Sequence, residues 1–160
     1  MAEAALAFQA QREEDVINFV KYIVGGVMAV PVSVALQGTI QSFWITILIF
    51  VGVGFGVFIQ TFLDYALKCK DFWTCMSEAT YAVVIFVYGG FFPLIAGVLV
   101  PERIGRIITE VVVTGVVTWA AMKYLAEELP KRSLKIQPAF LWLIIMVSIA
   151  IIVGLGDLCQ

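Results

Sequence analysis

Charged residues are bunched along this chain, and they leave three long uncharged windows at residues 22–63, 79–101 and 136–156. One bilayer crossing needs about 20 apolar residues, so the second and third windows each hold one span. The first window is 42 residues long. As a single helix it would measure about 63 Å, twice the roughly 30 Å of hydrocarbon, so it has to fold back on itself. The turn is expected at Gln37, Gly38 and Thr39, the one polar tripeptide with a glycine near its middle, which places a first span at 16–36 and a second at 40–67. Pro31 then falls inside the first span, where it is tolerated if a neighbouring helix satisfies the carbonyl it frees. A third span fits 79–100, closed by Pro101, Glu102 and Arg103, and a fifth fits 138–156, opened by Pro138 and closed by Asp157.

The intervening segment, 104–126, is interrupted by Glu110, and its longest charge-free run is 12 residues. The stretch IITEVVVTGVVTWAAM is otherwise apolar, and Arg106 and Lys123 can snorkel from its two ends, so it reads as a fourth span. The competing topology has four spans, with 104–126 re-entrant or lying at the interface. Residues 1–15 lack the basic and long apolar regions of a secretory signal and are expected as an N-terminal tail or an interfacial helix. The chain is accordingly expected to be an all-α integral membrane protein, with five transmembrane helices in a single compact bundle at residues 16–157.

Composition supports that class and closes several chemical routes. The chain is 62% hydrophobic and 14% charged, against roughly 45–50% and 25% in soluble domains, and its mean hydropathy is +1.01. With no histidine, it offers no imidazole for haem, metal or a nucleophile–base pair. Cys69 and Cys75 in CKDFWTC, with Cys159 near the end, do not complete a zinc site. No catalytic residue, cofactor or metal site is therefore expected. A net charge of −2 with ten scattered basic residues makes no phosphate-binding patch, so nucleic acid is not an expected partner and the lipid bilayer is.

The basic residues also orient the spans. With the N-terminus cytoplasmic, Arg12, Lys21, Lys68, Lys70, Lys123, Lys131, Arg132 and Lys135 lie inside, and only Arg103 and Arg106 outside. This asymmetry predicts N-in, C-out. Aromatic residues near the predicted boundaries, including Trp44, Trp73, Trp119 and Trp142, fit an interfacial belt.

Three groups of residues stand out. On the fourth span Arg103, Arg106, Glu110, Thr114, Thr118 and Ala121 recur at spacings of three and four, forming one polar or small face that should point into the bundle. That face could carry ions through Glu110, or Arg106 could simply neutralise Glu110 one turn away while the threonines bond back to their own helix. Lys21 and Asp64, each about one turn inside the cytoplasmic boundary, form a candidate ion pair; alternatively Lys21 snorkels and Asp64 pairs with Lys68. Gly25 with Ala29, Gly52 with Gly56, and Ala150 with Gly154 have the four-residue spacing that lets helices approach closely in lipid, within the chain or between chains.

The expected function is a non-enzymatic structural or accessory subunit of an oligomeric membrane assembly, its partners being other membrane subunits or copies of itself. The alternative is a small oligomeric channel or transporter that uses the polar stripe of the fourth span. An intramembrane enzyme acting on lipid is disfavoured, because Asp64, Glu110 and Cys69 fall at different depths or on opposite faces.

Overall fold

The computed structural model describes residues 2–36, 43–68, 70–100, 102–129 and 137–158. They form five α-helices: α1 (Ala2–Leu36), α2 (Phe43–Leu67), α3 (Phe72–Leu99), α4 (Arg103–Glu128) and α5 (Pro138–Leu158). All five are long and apolar enough to cross a membrane, and the chain is a multi-pass membrane protein. Helix is the form such sequences must take, since hydrocarbon offers backbone groups no partner outside the segment itself. The segment around Glu110 is a continuous helix of 26 residues. The expected turn at Gln37 to Thr39 lies outside the described residues.

Helix ends depart from the predicted spans where local chemistry extends them. Helix α3 starts at Phe72 rather than 79, because the Asp71 carboxylate accepts the backbone N–H of Thr74 at 3.0 Å and its hydroxyl at 2.6 Å. This is an N-cap, and the same two hydrogen bonds hold the Asp71 carboxyl below the usual aspartate range. Helix α5 opens on Pro138 at its first position, where the missing N–H costs nothing, and the Gln137 carbonyl accepts from Phe140 at 2.9 Å.

Residues 2–15, expected as an N-terminal tail or interfacial helix, are helical and continuous with the first span. At 1.5 Å per residue, α1 is about 52 Å long and overshoots the hydrocarbon. Its protruding turns are tied to other helix ends by Arg12 to Glu128 at 2.8 Å and Lys68 to Glu14 at 3.5 Å. The N-terminal part of α1, the end of α2 and the end of α4 therefore share one end of the bundle.

Helices α1 and α3 form the central pair; α4 packs on both, α2 on α3 and α1, and α5 on α4 and α1. One buried cluster joins Val16, Val20, Ile23 and Val27 of α1 to Ala121, Met122 and Leu125 of α4. A second stacks Phe50 on Phe86, with ring centres 5.1 Å apart, beside Val30. Where α1 crosses α3 the backbones nearly touch: a Cβ on Gly26 would collide with the Phe86 carbonyl, and one on Gly90 would lie 2.8 Å from the Gly26 carbonyl oxygen. Glycine is required there because close approach is what packing in lipid rewards.

Candidate functional site

Lipid solvates the outside of the bundle, so the polar stripe of α4 turns inward, where backbone carbonyls and small side chains meet it. Glu110, Thr114 and Thr118 are buried, and Ala121 lies with them. Only 2% of Glu110 is exposed. Its carboxyl lies against Gly97 of α3, where a Cβ would collide with it. Its Oε2 is buried and has no hydrogen-bond partner. Arg106 does not supply one: its Nε donates to the Val100 carbonyl at 3.2 Å, and no ion pair joins it to Glu110 among the described residues. The direct i,i+4 ion pair allowed by their spacing is thus not formed. The side chain of Arg103 lies outside the described residues.

Lower on the stripe, the two threonines do different things. Thr118 bonds back within α4, to the carbonyls of Thr114 at 2.7 Å and Gly115 at 3.1 Å. Thr114 instead reaches across to the Val27 carbonyl of α1 at 3.4 Å. Val27 is four residues before Pro31, whose ring nitrogen carries no hydrogen, so this carbonyl has lost its usual helical donor. The hydroxyl of Thr114 is the neighbouring group that makes Pro31 tolerable. Trp142, expected in an interfacial belt, also turns inward: its indole N–H donates to Gly115 at 3.0 Å and holds α5 to α4.

The other two groups are arranged differently from their sequence spacing. Lys21 and Asp64 are both exposed and make no ion pair with each other; Lys21 lies 5.7 Å from the Tyr22 ring centre, and Lys68 goes to Glu14 rather than to Asp64. Gly52, Gly56 and Gly154 face open space, and Ala150 is exposed. Gly25 makes only ordinary contact with Phe86, at 3.8 Å, and Ala29 packs at the edge of the Phe50 and Phe86 cluster. Within the chain, close packing falls instead to Gly26, Gly89, Gly90 and Gly97, with Gly54 the inward glycine of α2. The adjacent pairs Gly25-Gly26 and Gly89-Gly90 were the available signal, since two glycines about 100° apart widen the arc over which a helix presents no side chain to a neighbour.

A polar cavity of about 280 Å³ among α1, α2 and α3 was not foreseen from the sequence. Asp15 and Tyr22 line it from α1, Tyr65 from α2, and Glu78 and Tyr81 from α3. The signal was there in Asp15, Asn18 and Tyr22, at three- and four-residue spacing on one face of the first helix. Among the described residues, no group of three or more Cys, Asp or Glu is placed to hold a metal ion. No protein-family model, curated protein or solved structure matches the chain.

Proposed function

We propose that the chain is a non-enzymatic subunit of an oligomeric membrane assembly, with its N-terminus in the cytoplasm and its C-terminus outside. One observation carries the reading: on the outward face of α2, Gly52 and Gly56 have no heavy atom within 4 Å of a Cβ position. They leave a shallow furrow rimmed by the exposed side chains of Val51, Phe55 and Ile59. Small residues four apart on a lipid-facing surface let a further helix approach its backbone closely. The orientation is supported by eight basic residues on one side against two on the other.

The mass of the purified chain in a mild detergent, with any co-purifying chains identified, tests the reading. A complex larger than one chain is expected. Gly52→Leu with Gly56→Leu should weaken association by about tenfold or more, while Val84→Leu on exposed α3 surface leaves it unchanged. A mass of one chain for the unaltered protein overturns the proposal.

A second reading, an ion- or proton-handling protein, is favoured by the partnerless Oε2 of Glu110, because a buried intramembrane carboxyl is a functional candidate by default. Glu110, Thr114 and Thr118 are buried inside this chain, Glu110 against Gly97 of α3 and Thr114 against Val27 of α1. A path along them would therefore run within each protomer rather than between protomers. In reconstituted vesicles we expect no proton flux. A flux that disappears in Glu110→Gln, which keeps the shape but cannot ionise, would decide for the second reading.

A further inference from the structure

The cavity among α1, α2 and α3 serves neither assembly nor ion handling along α4, and its lining is chemically one-sided. Its charged lining residues are Asp15 and Glu78, both acidic, and among the described residues no lysine or arginine lines it. Three tyrosines, Tyr22, Tyr65 and Tyr81, line it beside the carboxylates, and Asn18 and Ser77 add neutral polar groups. Carboxylates beside aromatic faces are the recognition chemistry of organic ammonium ions, drawn both by charge and by the ring quadrupole. Two of these rings already attract cations: the Lys68 ammonium lies 5.3 Å from the centre of the Tyr65 ring, and that of Lys21 lies 5.7 Å from Tyr22.

A divalent metal fits less well, since it asks for six or more oxygen ligands in a close shell, and only two carboxylates border this space. At about 280 Å³ the cavity lies just under the usual size of a small-molecule pocket, which suits a head group rather than a whole drug-sized ligand. Ser77 is five residues into α3, about 7.5 Å along it, and Tyr65 is in the last turn of α2. The cavity therefore opens near the end of the spans, where lipid head groups lie.

We infer that the cavity bordered by Asp15, Glu78, Tyr22, Tyr65 and Tyr81 binds an alkylammonium group, carried either by a phospholipid head group or by a free amine. The carboxylates balance its charge, and the tyrosine rings cover its alkyl surface.

The test uses the 160-residue chain in non-ionic detergent, followed by thermal unfolding as tetramethylammonium chloride is added, against sodium chloride at equal ionic strength. A saturable upward shift specific to tetramethylammonium is expected. Glu78→Gln should weaken the apparent affinity about tenfold, as loss of a charge-assisted contact does. Tyr81→Leu should weaken it as well, whereas Tyr81→Phe, which keeps the ring, stays within about twofold of the unaltered chain. If Glu78→Gln does not fold, Asp15→Asn carries the same test.

A second measurement separates the sources. Chains recovered from bilayers of equal phosphatidylcholine and phosphatidylglycerol are weighed with their retained lipids. Phosphatidylcholine enrichment that disappears in Glu78→Gln identifies the head group, and a tetramethylammonium response without enrichment identifies a free amine. Equal shifts with the two salts, or a tetramethylammonium response unchanged by both Glu78→Gln and Tyr81→Leu, overturns the inference.

Discussion

Pro31 and Thr114 belong to one arrangement although 83 positions separate them. Proline deprives the Val27 carbonyl of its helical donor, and a threonine on α4 provides another at 3.4 Å. In Thr114→Val the side chain keeps its shape and loses the donor, so the carbonyl is left buried without it. Interhelical hydrogen bonds of this kind are worth about 0.6–1.7 kcal/mol in membrane proteins, and a loss in that range is expected in reversible unfolding from mixed micelles. Pro31→Ala restores an N–H at position 31, and in that background Thr114→Val should cost clearly less, giving a measurable coupling in the double-mutant cycle. Equal costs in the two backgrounds would separate the two residues. Glu110 is the contrasting case on the same stripe: Arg106 one turn away is turned to Val100, and the nearest accommodation is the missing side chain of Gly97.

Between elements, the contact that sets the bundle is the crossing of α1 and α3. There is little hydrophobic drive between helices in lipid, so their association rests on how closely the backbones fit. Gly26→Ala puts a methyl group into the Phe86 carbonyl, a backbone atom that no rotamer change can move aside. A destabilisation of about 1–3 kcal/mol is expected by reversible unfolding in mixed micelles, as for overpacking in a tight core. Gly154→Ala, where a Cβ meets nothing within 4 Å, should be neutral or slightly stabilising, because alanine is the better helix former. If both substitutions proved neutral, α1 and α3 would not be in the close contact described. The glycine sequence GVGFG shows the same logic on one helix: Gly54 turns inward against Phe86, while Gly52 and Gly56 turn outward.

At the scale of the whole molecule, the proposed orientation puts the N-terminal part of α1 and the end of α5 on opposite sides of the membrane. The ion pairs of Arg12 and Glu14 gather the N-terminal part of α1 with the ends of α2 and α4 at one end of the bundle. Thiols can report which end faces the cytoplasm. Cys75 is buried, its thiol donating to the Lys70 carbonyl at 3.7 Å, so it should resist labelling from either side. With the N-terminus inside, a membrane-impermeant thiol reagent on intact cells should modify Cys159 and leave Cys69 untouched until the cells are opened. Modification of Cys69 from outside would reverse the orientation.

The sequence alone determined the membrane class, the five spans and the inward face of α4. Hydrocarbon length sets how many spans the uncharged windows can hold. In a lipid-solvated bundle a stripe of Glu110, Thr114 and Thr118 on an otherwise apolar helix has one place to go. Helix ends were less legible, because hydropathy marks the part in hydrocarbon while caps such as Asp71 mark where the helix begins, seven residues earlier for α3. Tertiary structure decided the rest. Within their uncharged stretches, residues 22–36, 43–59 and 79–99, helices α1, α2 and α3 are apolar on nearly every side, so periodicity distinguishes no face there, and Gly52 and Gly26 look alike until a neighbouring backbone approaches one of them. The partner of Thr114, the burial of the Glu110 carboxyl against Gly97 and the cavity shared by three helices depend in the same way on contacts between residues far apart in the chain. Spacing along one helix carries no information about which carbonyl, ring or carboxylate another helix brings opposite it.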